Sequence, residues 1–247
     1  MVMEKLAPKA VLFDLGSTLL EYESIPWDEL GRECTEASRQ FLVSRKLTVP
    51  DEVEFNDAFE LAKAAYRQKA STTWEEWSVP MVAAPLLREL GLPSDEEFVD
   101  LFFDAYYEPV EKHLFVYEDT LETLEAVRTR YGRVGLISNT VFPERAHRKE
   151  LRRFGIEPFL DFAIFSSTFR WRKPHPDIFY KAANMAGYAP GECVYIGDRY
   201  LEDVQGPTSI GMPGILKVKP GREYPPDMPA DVRRVDSLSG LRGHFDF

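Results

Sequence analysis

The chain has 247 residues, of which 44% are hydrophobic and 13% aromatic, so it can bury a sizeable core and is not expected to be globally disordered. Its formal net charge of −11 argues against nucleic acid and anionic membranes as main partners, because both favour clustered lysine and arginine. No apolar run approaches the roughly 18 residues of a membrane-spanning helix and no signal peptide is expected, so the expected compartment is the cytoplasm.

Short apolar runs open the chain and return in its second half. The first is AVLF, which runs directly into Asp14. From Gly132 onward, similar runs alternate with amphipathic helical stretches, and these runs are RVGLIS, DFAIFS, CVYIG, GILKV and, after the Pro-rich loop KPGREYPPDMPAD, VRRV. Apolar runs separated by helices are typical of βαβ units, in which helices cover both faces of a parallel sheet. The sequence therefore predicts an α/β domain built on such a sheet.

The segment between the first run and residue 132 has a different pattern. Residues from about 27 to 113 are predicted to form one helix after another, without a convincing strand. Phe59 and Leu61 are expected on a buried helix face, and Ser94 followed by Glu97 resembles a capping box. An all-helical segment is therefore inserted after the first strand of the α/β domain.

The predicted domain ranges follow from this insertion. The α/β core is expected to comprise residues 1–20 and 114–247, and the helical segment residues 21–113. Four aromatic residues of that segment either line a pocket or belong to its core: Tyr22, Trp27, Trp74 and Trp77. For the two in TWEEW, a core position is the preferred interpretation.

Polar residues stand where the predicted strands end. In open parallel sheets, ligands bind beyond the carboxyl ends of the strands. The residues at these places are Asp14, Ser138 with Asn139, Lys173, Asp198 and Asp203. Any one of them alone would be read as a turn, a helix cap or a solvated charge. Their joint occurrence, in chain order and each after a strand, indicates a functional site.

These residue types suit phosphoryl transfer. Asp14 could attack a phosphorus atom and form an aspartyl-phosphate. Mg²⁺ held by Asp14, Asp198 and Asp203 would offset the repulsion between carboxylate and phosphate dianion. Lys173 would add a positive charge, and the Ser138 hydroxyl with nearby backbone N–H groups would hold phosphoryl oxygens.

Four motifs make the chain resemble the haloacid dehalogenase-like hydrolase superfamily, whose members are mostly phosphatases. VLFDLGSTL is similar to its first motif, LISN to its second, KPHPDIF to its third and YIGDRYLEDVQGPTSIGM to its fourth. The helical segment resembles the cap that this family inserts after strand one. The resemblance implies a Rossmann-like core, Mg²⁺, an aspartyl-phosphate intermediate and a cap that closes over small phosphorylated metabolites. Neither the resemblance nor the composition indicates an oligomeric state.

The resemblance also implies residue roles. It makes Asp14 the nucleophile and a metal ligand, while Asp198 and Asp203 serve the metal. Lys173 steadies the charge, and Ser138 with the adjacent Asn139 binds the phosphoryl group.

Gly16 departs from the family pattern. Phosphatases of the family usually carry a second aspartate two positions after the nucleophile, where it acts as general acid and base. The backbone carbonyl at that position ligates the metal, so Gly16 can still supply this ligand while the proton-donating carboxylate is missing. General acid–base catalysis is typically worth about 10²–10⁴-fold, so slow turnover or none is expected. The substitute donors to be considered are Ser17, Thr18, Glu21 and His175.

Two other functions compete with a phosphatase. One is a catalytically silent binding or regulatory protein that keeps the pocket. The other is haloacid dehalogenase activity, which needs no Mg²⁺ and which the intact pair Asp198 and Asp203 argues against. A phosphoacceptor receiver domain shares some of these residues, but the helical insertion makes this chain far larger than such a module.

The remaining cysteines and histidines add no second site. Cys34 and Cys193 are too few and too distant for a disulfide framework or a zinc site, and Cys193 is expected to be a buried small hydrophobe. His113, His147 and His244 have no evident partner in the sequence.

Overall fold

The computed structural model describes residues 4–247, so the first three residues of the predicted range 1–20 lie outside it. The chain forms two compact units. The sheet unit comprises the chain up to Glu21 together with Phe115–Thr140 and Glu144–Phe247, and the helical unit comprises Tyr22–Leu114 and Val141–Pro143. Among the described helices, none combines the length and the apolar character needed to cross a membrane.

The sheet unit is built on six parallel strands in the order β5-β4-β1-β6-β7-β8, and β2 and β3 form a separate antiparallel pair. The strands are β1 (Ala10–Phe13), β2 (Leu20–Glu21), β3 (Phe115–Val116), β4 (Val134–Ser138), β5 (Phe162–Phe165), β6 (Cys193–Gly197), β7 (Gly214–Lys217) and β8 (Arg233–Val235). Every residue of β1, β4 and β6 is buried. This explains why these strands are continuous apolar runs, since both faces of the sheet are covered.

The helical unit contains α1 (Trp27–Ser44), α2 (Glu52–Thr73), α3 (Val79–Glu89) and α4 (Glu96–His113). Its core is aromatic: the rings of Phe59 and Phe102 are 6.1 Å apart, and those of Phe59 and Tyr106 are 5.6 Å apart. Helix α1 packs mainly on α4. Trp77 is buried, as the core interpretation expects, whereas Trp27 is exposed.

Two local predictions for this unit are wrong. Leu61 is 77% exposed, because the buried face of α2 continues from Phe59 to Lys63, one helical turn on. The Lys63 stem is buried, with its ammonium 4.9 Å from the Phe59 ring centre and paired with Glu60. Helix α4 is capped by Asp95 rather than Ser94, since the Asp95 carboxylate accepts from the amide of the third helical residue.

Helices flank the sheet in the order expected of βαβ units. They are α5 (Thr120–Tyr131), α6 (Glu144–Arg153), α7 (Ser166–Phe169), α8 (Pro176–Ala186) and α9 (Gly206–Thr208), with 3₁₀ turns at Glu157–Phe159, Pro190–Glu192 and Leu238–Gly243 and a π-helical turn at Tyr200–Gln205. Ile178 and Phe179 of α8 join Leu12 of the central strand in one apolar cluster. The predicted α/β fold, with a Rossmann-like parallel sheet and an inserted all-helical segment, is confirmed.

Strand register brings the polar strand ends to one edge. Phe13 is aligned with Leu136 of β4 and with Ile196 of β6. Asp14 therefore leaves the sheet beside Ser138 and Asp198, at the carboxyl ends of three adjacent strands.

Candidate active site

Asp14 stands at the end of the central strand and is 6% exposed. Its backbone amide still donates to the Ile196 carbonyl, 2.8 Å away, so the sheet itself fixes its position. Lys173 Nζ donates to Asp14 Oδ1 over 2.7 Å, and the Thr18 hydroxyl donates to Oδ2 over 3.1 Å. Burial raises the pKa of Asp14, an effect that Lys173 opposes and the Asp203 charge reinforces.

Lys173 is shared between two carboxylates. Its ammonium donates to Asp14 Oδ1, Asp203 Oδ1 and the Tyr195 hydroxyl, each over 2.7 Å, which uses all three protons. The Tyr195 hydroxyl in turn donates to the Ile137 carbonyl. Burial lowers the pKa of Lys173, but the two carboxylates outweigh it and the net shift is upward. Tyr195 was not predicted, because in the sequence it is one more apolar residue of a buried strand.

Asp203 is placed by the π-helical turn. Its Oδ1 accepts from Lys173 and its Oδ2 accepts from the Arg199 amide over 2.8 Å. A Cβ at Gly197 would lie only 2.3 Å from Asp203 Cγ, so the side chain reaches this position because β6 ends in glycine. Isolated π-helical turns are frequent at functional sites, where they redirect a side chain.

Asp198 follows β6 directly and is 2% exposed. Burial, together with the charges of Asp14 and Asp203, raises the pKa of Asp198 to about 8. Arg222 Nη2 lies 2.9 Å from Asp198 Oδ2, yet the geometry makes no hydrogen bond, and Oδ2 accepts none from the described residues. Tyr224 donates to the Asp198 carbonyl over 3.1 Å. Arg222 and Tyr224 come from the Pro-rich loop, and no sequence pattern connects this loop with Asp198.

The three aspartates fit a divalent cation. Carboxylate oxygens of Asp14, Asp198 and Asp203 lie within 4.8 Å of one another, and all three residues are buried. Burial raises the pKa of Asp14 and of Asp198 although Lys173 and Arg222 oppose this, so the positive charge of a bound cation would favour the ionised carboxylates. Asp198 Oδ2 is ion-paired with Arg222 but accepts no hydrogen bond from the described residues, so it can serve as a ligand atom. An all-oxygen, anionic donor set of this kind suits Mg²⁺.

The loop after Asp14 is closed by its own backbone. The Leu15 carbonyl accepts from the amides of Leu19 and Leu20, over 2.9 and 3.0 Å. Ser17 has a φ of 57°, whereas Gly16 is not among the described residues with positive φ. The left-handed position in this loop thus belongs to Ser17.

The four proposed substitute donors are all held in internal contacts. Thr18 donates to Asp14, and His175 accepts from the Asp177 amide at the start of α8 while its ring stacks on Trp171. Three polar groups meet Glu21: the hydroxyls of Ser17 and Tyr117 donate to it, and Lys219 Nζ lies 2.9 Å away. Ser17 Oγ also accepts from Lys219, and its carbonyl accepts from the buried ammonium of Lys217.

Ser138 and Asn139 have different surroundings. Ser138 is buried at the end of β4. The Asn139 side-chain amide donates to the Lys173 carbonyl over 2.9 Å, and the Lys173 amide donates back to Asn139 Oδ1 over 2.7 Å. The Asn139 side chain therefore fixes the backbone of Lys173 in this structure.

Comparison with known proteins finds phosphatases and a dehalogenase among the similar chains. A glyceraldehyde 3-phosphate phosphatase of Methanopyrus kandleri is 28% identical over 205 residues, covering 83% of this chain and 81% of the relative. A HAD phosphatase structure from Thermococcus onnurineus is 25% identical with a TM-score of 0.63, covering 94% and 95% of the two chains. A 2-haloacid dehalogenase structure from Pseudomonas syringae pv. tomato DC3000 is 22% identical with a TM-score of 0.71 over 95% and 96%, a likeness of fold alone.

The family model for haloacid dehalogenase-like hydrolases matches residues 8–211. This range contains the first three motifs and all but the last residue of the fourth, and it includes Asp14, Lys173, Asp198 and Asp203. The expected resemblance is therefore confirmed, and the protein is an enzyme that belongs to the haloacid dehalogenase-like hydrolase family.

Proposed function

We propose that the enzyme is a Mg²⁺-dependent phosphatase of small phosphorylated metabolites that acts through an aspartyl-phosphate at Asp14. The observation that carries this proposal is the position of the Asp14 carboxylate. This carboxylate is buried at the carboxyl end of the central strand, with Lys173 Nζ 2.7 Å away. The carboxylates of Asp198 and Asp203 lie close enough to bind one metal ion together with Asp14.

The chemistry is a double displacement at phosphorus. An oxygen of Asp14 attacks the phosphomonoester, a new O–P bond forms, and the bond to the leaving oxygen breaks. Water then attacks the aspartyl-phosphate, which releases inorganic phosphate and restores the carboxylate. Oδ1 accepts from the ammonium of Lys173, and Oδ2 accepts from the neutral Thr18 hydroxyl. The proposed attacking atom is Oδ2, because it is not the oxygen that accepts from the cationic Lys173.

Asp14, Asp198 and the Gly16 carbonyl are proposed as direct ligands of Mg²⁺, with Asp203 close by or bridged through water. Both Asp203 oxygens already accept hydrogen bonds, from Lys173 and from the Arg199 amide, which favours the indirect role. When bound, Mg²⁺ offsets the charge of the phosphate dianion next to Asp14. The Ser138 hydroxyl is proposed to hold a phosphoryl oxygen.

Protonation of the leaving group is the weak step. Gly16 carries no carboxylate, and Ser17, Thr18, Glu21 and His175 are engaged in the contacts described above. The leaving group of an aryl phosphate is a stable phenolate, whereas the leaving group of an alkyl phosphate is a basic alkoxide that needs a proton. We therefore expect the enzyme to favour good leaving groups.

The substrate class is drawn from the relatives. Several curated relatives are named glyceraldehyde 3-phosphate phosphatase, which supports a small three-carbon phosphate as substrate. The helical unit is proposed to act as the substrate-selecting cap, because it begins in the chain at Tyr22, just after the loop and the short strand β2 that follow Asp14. Glyceraldehyde 3-phosphate is an alkyl phosphate, so its leaving group is a basic alkoxide that needs a proton. The ratio of its turnover to that of an aryl phosphate therefore tests whether the site supplies that proton.

The test compares turnover of an aryl phosphate and of glyceraldehyde 3-phosphate in Mg²⁺ and in EDTA. Mg²⁺-dependent release of phosphate, absent from the Asp14→Asn variant, is the expected result. A pure, folded wild type that binds Mg²⁺ and hydrolyses neither substrate would indicate a silent binding protein instead. Chloride release from a haloacid in EDTA would indicate a dehalogenase and would contradict the proposal.

A further inference from the structure

A buried chain of three side chains lies two residues beyond Ser138. Thr140 Oγ1 is 2.7 Å from His147 Nε2, and His147 Nδ1 is 2.9 Å from Glu150 Oε2. All three residues are buried in the sheet unit. The sequence shows no evident partner for His147, whereas the structure pairs it with Thr140, from the loop after β4, and with Glu150 on α6.

The fold fixes the imidazole on three sides. His147 and Glu150 are three residues apart on α6 and so share its buried face. The His147 ring stacks on Phe165 of β5, with ring centres 5.0 Å apart and planes 13° from parallel. An ionised Glu150 can only accept, so Nδ1 carries the proton that it donates. In the neutral ring, Nε2 then accepts from the Thr140 hydroxyl.

Thr140 is also held through its backbone. Its amide donates to Ser166 Oγ over 2.8 Å, and Ser166 Oγ donates back to the Thr140 carbonyl over 3.3 Å. The side chain of Thr140 is therefore bound to α6 and its backbone to the start of α7.

The loop that contains Thr140 also contains two predicted site residues, Ser138 and Asn139. Ser138 precedes Thr140 by two positions, and Asn139 between them exchanges two hydrogen bonds with the backbone of Lys173. Hydrogen bonds within a buried polar chain favour the arrangement that makes them, because breaking one leaves a buried group unpaired. The loop thus has a single favoured conformation, set by side chains that lie outside the four family motifs.

We propose that Thr140, His147 and Glu150 are positioning residues that hold the loop 138–140, so that Ser138 meets the phosphoryl group and Lys173 meets Asp14. This inference rests on the proposed function for its catalytic consequence. None of the three touches the reacting atoms, so each acts through Ser138 or, by way of Asn139, through Lys173.

The decisive comparison is Thr140→Val against Thr140→Ser. Valine keeps the volume and removes the hydroxyl, whereas serine keeps the hydroxyl. Hydrogen exchange is measured at the amides of position 140 and Lys173, which donate to Ser166 and Asn139 in the wild type. In Thr140→Val we expect both amides to exchange about 10-fold faster and kcat to fall roughly 10-fold, with KM nearly unchanged, because misplacement of a positioned group acts on the transition state. Thr140→Ser should stay close to wild type in both measurements.

His147→Phe provides a second variant if the valine protein does not fold. Phenylalanine keeps the stack on Phe165 and loses both ring nitrogens, so it should reproduce the faster exchange and the lower kcat. Equal exchange in the hydroxyl-free and hydroxyl-bearing variants would overturn the inference. If exchange responds as expected while the wild type hydrolyses no phosphate, the loop is held as inferred and only the proposed function fails.

Discussion

At the scale of single residues, the site is a set of ion pairs between two cationic and three anionic side chains. One ammonium is shared by Asp14 and Asp203, and the nearby Asp198 is paired with Arg222. Asp14 and Asp198 could be predicted from the sequence because each directly follows a strand, and Lys173 and Asp203 because each lies in the segment that leads away from a strand end. Arg222 could not be predicted, because its contact with Asp198 depends on how a Pro-rich loop folds back.

Lys173→Ala should lower both stability and activity. It removes the ammonium from a buried group of carboxylates, and breaking a buried ion pair typically costs about 3–5 kcal/mol. Urea denaturation measures the free energy of unfolding, with the exposed Lys181→Ala as control. Mg²⁺ should restore part of the stability, since it supplies positive charge to the same carboxylates. Unchanged activity would mean that Lys173 has no role beyond the fold.

Gly16→Asp should restore the missing proton donor. Turnover of an alkyl phosphate should rise by up to roughly 10²-fold, and that of an aryl phosphate much less, because only the alkoxide needs protonation. Strain from a left-handed backbone is not expected, since the positive φ belongs to Ser17. The measurement is the ratio of the two rates in wild type and variant, with a thermal melt to check folding. A wild type that already hydrolyses both equally would show that another residue donates the proton.

Among the elements, the strands were the most predictable and the turn that carries Asp203 the least. Continuous apolar runs identified the strands β1, β4, β5, β6 and β7 of the six-stranded sheet, because a strand covered on both faces is apolar along its length. The edge strand β8 contains two arginines and is partly exposed, so its sequence VRRV is not a continuous apolar run. The sequence YLEDVQ reads as an ordinary helix, but it forms a π-helical turn. Its geometry is set by packing against β6, where Gly197 leaves room for the Asp203 carboxyl, and such a contact has no local signal.

Gly197→Ala should displace Asp203. The new methyl would overlap the carboxyl group of Asp203, and overpacking of this kind costs about 1–3 kcal/mol. We expect a lower melting temperature and a weaker stabilisation by Mg²⁺. Gly191→Ala is the matched control, because its nearest neighbouring atom would be 3.5 Å away. If the two variants behave alike, the close approach at Gly197 has no role in placing Asp203.

At the scale of the whole molecule, a chain of net charge −11 concentrates three buried carboxylates at one sheet edge. Folding brings these three carboxylates close together, and their negative charges repel one another. A cation that binds them only in the folded state should therefore stabilise the protein. The insertion of a helical unit could be predicted from periodicity. That the tripeptide Val141–Pro143, distant in sequence, belongs to the same unit could not be predicted, because this depends on contacts that form only in the folded chain.

Mg²⁺ should therefore raise the thermal stability of the wild type. At about 100 times its Kd, a ligand stabilises by about 2.7 kcal/mol. For a chain of this size that corresponds to roughly 5–10 °C in Tm. Asp198→Asn should abolish the shift, whereas Asp57→Asn, an exposed change on α2, should keep it. A shift that survives Asp198→Asn would place the cation elsewhere.

The central claim is that Asp14 carries the phosphoryl group during turnover. Its most direct test is an acid quench of the enzyme in the first turnovers of an aryl phosphate with Mg²⁺, followed by peptide mass spectrometry. We predict a phosphoryl group on the peptide that contains Asp14, absent without Mg²⁺ and from the Asp14→Asn variant. Phosphate release at the wild-type rate by Asp14→Asn, or a phosphoryl group on another residue, would contradict the account.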